Sequence, residues 1–169
     1  MIIEKLISLL ETEIDSLSES WIKLLKENEN TGTFQKLDDK QLVEYSKYVY
    51  RQLKLWLDWQ TTSAEVATLF WKVGFERKAQ QIPLSDVFYA VVLSRRNLYI
   101  NILEKLGEEQ EIEMNEVIDF TGRITYFFDK IAYFVIKGYE GSDEPTTEDQ
   151  ASLDKILKAF RAGTSSLEE

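Results

Sequence analysis

Apolar residues recur every three to four positions along nearly the whole chain, with acidic or other polar residues between them. This spacing is typical of amphipathic α-helices, whereas the strict alternation typical of strands is not sustained in any segment. The pattern therefore predicts an all-α protein. Five main helices are predicted over residues 2–28, Asp38 or Asp39 to Trp59, Ser63 to Gln80, Pro83 or Ser85 to Leu106, and Glu109 to Lys137. A short sixth helix starts at the capping-box spacing of Thr147 to Gln150.

Glycines mark two predicted helix ends and one predicted contact. Gly107 and Gly138 fit the position just after a helix, where glycine is favoured. Gly74 instead lies inside the third predicted helix, where glycine costs about 1 kcal/mol relative to alanine. A glycine at such a position indicates that another helix crosses it at close range.

The chain divides into one main domain and a short C-terminal part. The predicted parts are a helical sensor-like domain over residues 1–139, an acidic linker over 140–149, a short helix over 150–162 and a flexible tail over 163–169. Several long helices carry two apolar lines instead of one. A buried central helix or a subunit interface explains this breadth, and a homodimer is the commonest closed assembly.

Charge disfavours two classes of partner. The chain has 30 acidic and 20 basic residues, a net charge of −10, and its longest basic runs are the pairs Arg77-Lys78 and Arg95-Arg96. Nucleic acids and anionic membrane surfaces attract clustered Lys and Arg, so we expect neither as a partner. The acidic N-terminal repeat is unlike a signal peptide, and no apolar run approaches the roughly 18 residues of a membrane span. These features predict a cytoplasmic protein.

The residue types that are missing exclude much chemistry. The sequence has no cysteine and no histidine, so disulfides, thiolate zinc sites and the usual nucleophile triads are excluded. Di-iron bundles and the common haem sites also need histidine. We therefore expect no enzyme activity, no metal and no cofactor. The acidic cluster of Glu108, Glu109, Glu111 and Glu113 is best explained by favourable charge near a helix start, with a cation site as the alternative.

Arg95 stands out because it falls on the apolar stripe of the fourth predicted helix, four residues after Val91 and three before Leu98. An inward-facing guanidinium needs a partner, since desolvating an unpaired charge is costly. An acid such as Glu76 or Asp119 is the simplest partner. The alternative is an anionic ligand or a carboxylate of a partner protein.

Two stretches of the chain resemble a known family. Val73 to Val87 is Val-Gly-Phe-Glu-Arg-Lys-Ala-Gln-Gln-Ile-Pro-Leu-Ser-Asp-Val, and Leu93 to Tyr99 is Leu-Ser-Arg-Arg-Asn-Leu-Tyr. A glycine-containing helix, a polar turn with Ile-Pro-Leu and a helix with an Arg-Arg pair resemble the N-terminal sensor domains of RsbR-type proteins, the co-antagonists of bacterial stress-signalling assemblies. The residues that carry the resemblance are Gly74, Glu76, Arg77, Ile82, Pro83, Leu84, Arg95 and Arg96.

The resemblance extends to the order and length of the helices over about residues 1–139. It implies a globin-like helical fold without haem, a dimer and a role as a signal-input module. Such domains usually precede an output domain, often of the STAS type or a kinase. This sequence ends after one short helix and a polar tail, so the resemblance implies a regulatory protein partner or a missing output domain.

Three functions are consistent with these observations. The first is a non-enzymatic, dimeric sensor of bacterial stress signalling that relays a signal to a partner or output domain. The second is a small-molecule-binding domain with an apolar pocket and Arg95 as its anion contact, although aromatic residues at helical spacing are more often ordinary core. The third is an enzyme that uses only carboxylates, Tyr, Lys or Arg, for which no spacing singles out a pair.

Overall fold

The structure, a computed structural model, describes residues 2–107, 113–142 and 144–162. These residues form seven α-helices and one 3₁₀ segment, and none of them lies in a strand. The elements are α1 Ile2–Thr12, α2 Ile14–Glu27, the 3₁₀ segment Glu29–Lys36, α3 Asp39–Leu57, α4 Ser63–Ala79, α5 Leu84–Gly107, α6 Met114–Glu140 and α7 Thr147–Ala162. The prediction of an all-α protein is confirmed, and the globin-like arrangement stays a prediction.

The predicted first helix, residues 2–28, is in fact two helices. Glu13 separates α1 from α2 with φ −106° and ψ 9°. The apolar repeat continues through the break, because Leu10 and Leu17 are both buried. Helical hydrogen bonds also continue, from the Glu13 amide to the Leu9 carbonyl and from the Leu17 amide to the Glu13 carbonyl. Periodicity alone therefore gave no sign of this local kink.

Side chains cap the starts of α3 and α4. Asp38 caps α3 as predicted, because its carboxylate accepts the Gln41 amide while the Gln41 side chain accepts the Asp38 amide. The cap of α4 is Thr62 and not Ser63, since Thr62 and Glu65 form the reciprocal pair of bonds. Each such cap satisfies amide groups that the helix itself leaves unpaired.

The C-terminal boundaries differ from the predicted ones. Gly138, predicted to follow the fifth helix, lies inside α6, which continues to Glu140. α7 begins at Thr147, within the segment predicted as a linker, and Thr146 caps it through reciprocal bonds with Asp149. The predicted tail, residues 163–169, lies outside the described residues.

α6 supplies much of the core. Its apolar residues at three- to four-residue spacing are buried except for Val117, which is exposed. The buried members are Phe120, Ile124, Phe127, Ile131 and Phe134. The Phe127 ring meets the rings of Trp56 on α3 and Phe70 on α4 at centroid distances of 5.6 and 6.3 Å. Trp59, predicted as the last residue of the second helix, lies just after α3 and is exposed.

α4 and α6 cross with their backbones in contact. A Cβ atom added at Gly74 would lie 2.0 Å from the Val135 carbonyl oxygen, and one added at Gly138 would lie 1.8 Å from the Trp71 carbonyl oxygen. Any side chain at either position would overlap the facing helix. The close crossing predicted at Gly74 is therefore confirmed, and Gly138 forms its other half.

No helix among the described residues is long and apolar enough to cross a membrane.

Candidate ligand-binding site

A cavity of about 370 Å³ lies between α3, α4 and α5. Its volume falls in the usual range for small-molecule sites. Most of the lining is apolar or aromatic, from Trp21, Phe34, Tyr45, Tyr48, Val49, Leu69, Phe70, Val73, Val87, Ala90, Val91 and Val135. The exposed lining residues are Glu44 and Arg51 of α3 and Lys72 and Glu76 of α4. The cavity therefore opens to the surface between α3 and α4.

Arg77 is the buried cation of this cavity. Its side chain is 6% exposed, and its guanidinium carbon lies 3.6 Å from the centre of the Tyr45 ring, which covers one face of the group. Arg77 Nη1 donates to Gln80 Oε1 at 3.1 Å, and Gln80 Nε2 donates to the Tyr45 hydroxyl at 2.9 Å. The three side chains thus hold one another in place.

The guanidinium lacks a close ion pair among the described residues. The nearest carboxylate oxygen, Glu76 Oε2, lies 3.9 Å from Arg77 Nη1, and the Glu76 side chain is exposed. Burial lowers the pKa of Arg77, while Tyr45 and Glu76 act in the opposite direction. Arginine stays protonated in proteins, so the group remains charged. A guanidinium also has five N–H donors, which leaves donors beyond the one bonded to Gln80 to offer a ligand.

The helical repeat of α4 explains why Arg77 faces inward. Val66, Phe70 and Val73 form the inner face of this helix, and Arg77 continues it four residues after Val73. Positions three and four residues apart share a helix face. The same spacing rule that singled out Arg95 would therefore have found Arg77.

A second tyrosine contributes to the opening of the cavity. Tyr48 is half-buried on α3, with its ring 5.8 Å from that of Phe70. Burial raises the pKa of Tyr48, and the Glu76 carboxylate raises it further. The Tyr48 phenol is therefore a neutral group at neutral pH.

The inner wall on α5 is joined to the core by hydrogen bonds that sequence reasoning missed. Tyr50, fully buried on α3, donates its hydroxyl proton to the Ser94 carbonyl at 3.0 Å. Asn97 Nδ2 donates to that same hydroxyl oxygen at 2.8 Å, and the Ser94 hydroxyl donates to the Ala90 carbonyl at 3.0 Å. These groups satisfy one another, which leaves Arg77 as the buried charge that faces the cavity.

Arg95 lies outside this cavity. Its Nη1 atom pairs with Asp129 Oδ1 of α6 at 3.1 Å, and its side chain is 33% exposed. The predicted partners were wrong, because Asp119 pairs with Arg123 on its own helix and Glu76 lies beside Arg77. An anion contact at Arg95 stays a prediction.

The other residues of the predicted signature are spread over the surface and the α4–α5 turn. Ile82 is buried in the turn, Pro83 is exposed, and Leu84 begins α5 half-buried. Arg96 is exposed on α5. Of the whole signature, only Glu76 and Arg77 line the cavity.

The predicted acidic cluster lies mostly outside the described residues. Glu108, Glu109 and Glu111 are not described, and Glu113 is exposed just before α6. Among the described residues, no group of three or more potential metal ligands comes together.

The fold and the cavity define an all-helical domain with a candidate small-molecule site that is lined by one buried cation, Arg77. The chain belongs to a family of sensor domains, because the family described as the histidine kinase N-terminal domain matches residues 3–141. No curated protein and no solved structure matches the chain. The predicted role as a signalling sensor domain is therefore confirmed, and the family favours a non-catalytic role. A specific relation to RsbR-type proteins stays a prediction.

Proposed function

We propose that this chain is a non-enzymatic, ligand-binding sensor domain of a histidine-kinase signalling pathway. Its ligand is a small apolar molecule with a single anionic head group. The observation that carries the proposal is Arg77, a buried guanidinium without a close ion pair at an apolar cavity. The family match supports the signalling role, and the cavity supports the class of ligand.

The head group is assigned from the surroundings of Arg77. Hydrogen bonds to an ionised acceptor are about twice as strong as those between neutral groups, and a low local dielectric strengthens them further. A carboxylate inside the cavity would complete the pairing that Glu76, at 3.9 Å, supplies only weakly. At the rim the exposed carboxylates of Glu44 and Glu76 are balanced by the exposed cations of Arg51 and Lys72. Arg77 is then the one buried charge of the cavity, so the site favours a monoanion over a phosphate dianion.

The body of the ligand is assigned from the lining. Val73, Val87, Val91 and Val135 provide an apolar surface with no further charge to match. A saturated hydrocarbon chain buries itself favourably against such a surface. A straight-chain monocarboxylic acid is therefore the simplest molecule that satisfies both parts of the site.

In this proposal the domain works as a homodimer that passes its state to an output domain or a regulatory protein. Apolar side chains on the outer surfaces of α5 and α6, two helices that pack together, support the dimer. They are Phe88, Ile100, Leu103, Met114, Val117 and Ile118. Large exposed apolar side chains concentrated on one pair of helices favour an interaction surface there. A role in stress signalling is part of the same proposal.

The ligand proposal is tested by titrating the protein with decanoate and with its neutral analogue 1-decanol. Trp21 lines the cavity, so its fluorescence reports occupancy, and calorimetry gives the dissociation constants. Because a charged hydrogen bond contributes about 1.5–3 kcal/mol, we expect decanoate to bind roughly 10- to 100-fold more tightly than 1-decanol.

Two matched variants locate the anion contact. Arg77→Met should remove the preference for decanoate over 1-decanol, while Arg95→Met should keep it. The reverse outcome would move the contact to Arg95. Equal binding of the acid and the alcohol by the unmodified protein, or no binding of either, would overturn the proposed ligand class.

A further inference from the structure

The turn that follows α4 belongs to the arginine site and is built around a left-handed residue. Gln81 has φ 59°, a conformation that non-glycine residues seldom adopt. The Gln81 amide donates to the Lys78 carbonyl at 2.9 Å, and the Ile82 amide donates to the Arg77 carbonyl at 3.1 Å. This pair of bonds is a Schellman motif. Arg77 thus closes the turn with its backbone and faces the cavity with its side chain.

The C-terminal end of α6 contacts α4 and this turn through Tyr139. The Tyr139 hydroxyl donates to the Ile82 carbonyl at 2.9 Å. The Tyr139 backbone nitrogen lies 2.7 Å from the position that a Cβ atom at Gly74 would take. One residue of α6 therefore meets α4 at the glycine crossing and at the turn that carries Arg77 and Gln80.

The segment just beyond α6 is joined to α4 as well. Trp71 Nε1 donates to the Ser142 carbonyl at 2.8 Å, and the Trp71 ring lies 3.1 Å from the position of a Cβ atom at Gly141. Backbone contact at Gly74 and Gly138 leaves no side chains between the helices to absorb a displacement. Closely packed elements transmit such shifts because their interiors have few voids.

We propose that Tyr139 couples the arginine site to the C-terminal end of α6. A change at Arg77 and Gln80 shifts the turn at Gln81 and Ile82, and the hydroxyl of Tyr139 passes that shift to residues 137–142. This coupling extends the proposed function and rests on it only for the identity of the ligand that would change the arginine site. The coupling itself is a property of the protein without ligand.

The test of the coupling needs no ligand. Hydrogen–deuterium exchange of residues 137–142 is measured in the unmodified protein, Gln80→Ala, Tyr139→Phe and the double variant, with amides of α2 as an internal reference. Gln80→Ala removes the side chain that bonds both Arg77 and Tyr45. When Tyr139 is present, we expect Gln80→Ala to raise the exchange rate of residues 137–142 about threefold or more. In the Tyr139→Phe background, the same substitution should raise that rate less than about 1.5-fold.

A matched control separates the coupling from the general loss of a tyrosine hydroxyl. Tyr99 contacts Thr125 Oγ1 through its hydroxyl at 3.5 Å, on the α5–α6 contact away from the α4 turn. The Tyr99→Phe background should therefore keep the full effect of Gln80→Ala. Equal effects of Gln80→Ala with and without the Tyr139 hydroxyl would overturn the coupling.

A second measurement, made with ligand, distinguishes a failure of the Tyr139 coupling from a failure of the proposed ligand class. With decanoate, residues 137–142 should change their exchange in the unmodified protein and not in Tyr139→Phe, while the two dissociation constants agree within about twofold. An unchanged ligand effect in Tyr139→Phe overturns the coupling and leaves the ligand site intact. If decanoate binds neither protein, the proposed ligand class fails, and the ligand-free comparison still decides the coupling.

Discussion

Burying the Arg77 guanidinium is unfavourable for the stability of the folded protein. Its guanidinium is largely withdrawn from water, burial lowers its pKa, and the nearest carboxylate stands at 3.9 Å. Tyr45 and Gln80 offset part of the desolvation through a stacked ring and one hydrogen bond. Residues with perturbed ionisation in a cleft are frequent at binding sites. The unfavourable energetics of Arg77 are consistent with selection for a ligand rather than for stability.

This reasoning predicts the stability of Arg77→Met in the absence of ligand. Replacing a buried ion pair by apolar side chains of similar size is often neutral or stabilising by about 1–4 kcal/mol, whereas removing one partner is costly when it leaves a buried charge behind. The carboxylate nearest to Arg77, that of Glu76, is exposed, so Arg77→Met leaves no such charge. We expect the free energy of unfolding in urea to stay the same or to rise by about 1–2 kcal/mol. Arg95→Met, which removes a partly exposed ion pair, should lower it by less than about 1 kcal/mol. A loss above about 2 kcal/mol in Arg77→Met would show that Arg77 is structural.

Because Tyr50 is buried, we expect the free energy of unfolding to fall at alkaline pH. Burial raises the pKa of Tyr50, and the hydrogen bond from Asn97 only partly opposes this. Above about pH 10 the unfolded chain loses the tyrosine proton while folded Tyr50 keeps it, so the stability is full below pH 10 and falls above it. The expected slope from this group is about 1.4 kcal/mol per pH unit.

Urea titrations between neutral and alkaline pH measure this slope. Tyr50→Phe should flatten it, and should lower the stability at pH 7 by about 1–2 kcal/mol because the Asn97 donor loses its acceptor. Identical alkaline slopes in the two proteins would contradict the assignment to Tyr50.

Helical spacing predicts which residues face inward but not what surrounds them. Arg77 and Arg95 both continue an apolar stripe, yet Arg77 borders a cavity and Arg95 reaches Asp129 near the surface. A stripe states only that a helix face is turned toward other elements. Whether neighbouring side chains fill the space depends on the distances between helices, which one sequence does not provide. The apolar pocket of the second hypothesis therefore could not be located from the sequence, and its position beside Arg77 follows only from the structure.

At the scale of elements, the crossing of α4 and α6 is the contact with the least tolerance of added side-chain atoms. At Gly74 and Gly138 an added Cβ atom meets backbone atoms, which have little freedom to move aside. Gly122, by contrast, lies on the exposed side of α6 with no atom within 4 Å of an added Cβ. The same substitution in one helix should therefore have opposite effects at the two kinds of site.

We expect Gly138→Ala to lower the free energy of unfolding by about 2–3 kcal/mol or more, since overpacked sites typically lose about 1–3 kcal/mol and this overlap is with backbone. Gly122→Ala should raise it by about 0.5–1 kcal/mol through the better helix propensity of alanine. Thermal and urea denaturation measure both variants. Tolerance of Gly138→Ala without loss would show that α4 and α6 separate easily, which would also weaken the coupling through Tyr139.

The helices and the Asp38 cap were predictable because apolar periodicity and capping residues act over a few positions. The kink at Glu13 and the left-handed Gln81 were not predictable, since neither residue type favours those conformations. Tertiary contacts account for the conformation of Gln81, because the next residue, Ile82, is buried and the Ile82 carbonyl accepts a hydrogen bond from the Tyr139 hydroxyl. The partner that fixes this turn lies 57 positions away in the sequence.

At the scale of the whole molecule, the net charge and the exposed apolar residues lead to opposite expectations about self-association. A net charge of −10 opposes non-specific association. Six of the seven exposed large apolar residues in the described part of the chain nevertheless lie on α5 and α6. Exposed apolar residues concentrated on two adjacent helices of a strongly charged protein favour one specific contact between copies. A symmetric dimer through α5 and α6 satisfies both features.

Light scattering after size exclusion tests this dimer. The unmodified protein should have twice the 19.8 kDa mass of one chain, and Ile118→Glu should elute at the mass of one chain. Ile118 is 65% exposed, so the folded monomer should tolerate the change, within about 0.5 kcal/mol. Trp59→Glu is the matched control, because Trp59 is 59% exposed and lies just after α3, outside α5 and α6. It should leave the dimer intact. A monomeric unmodified protein would make the dimer proposal wrong, and dissociation by Trp59→Glu but not by Ile118→Glu would place the interface away from α5 and α6.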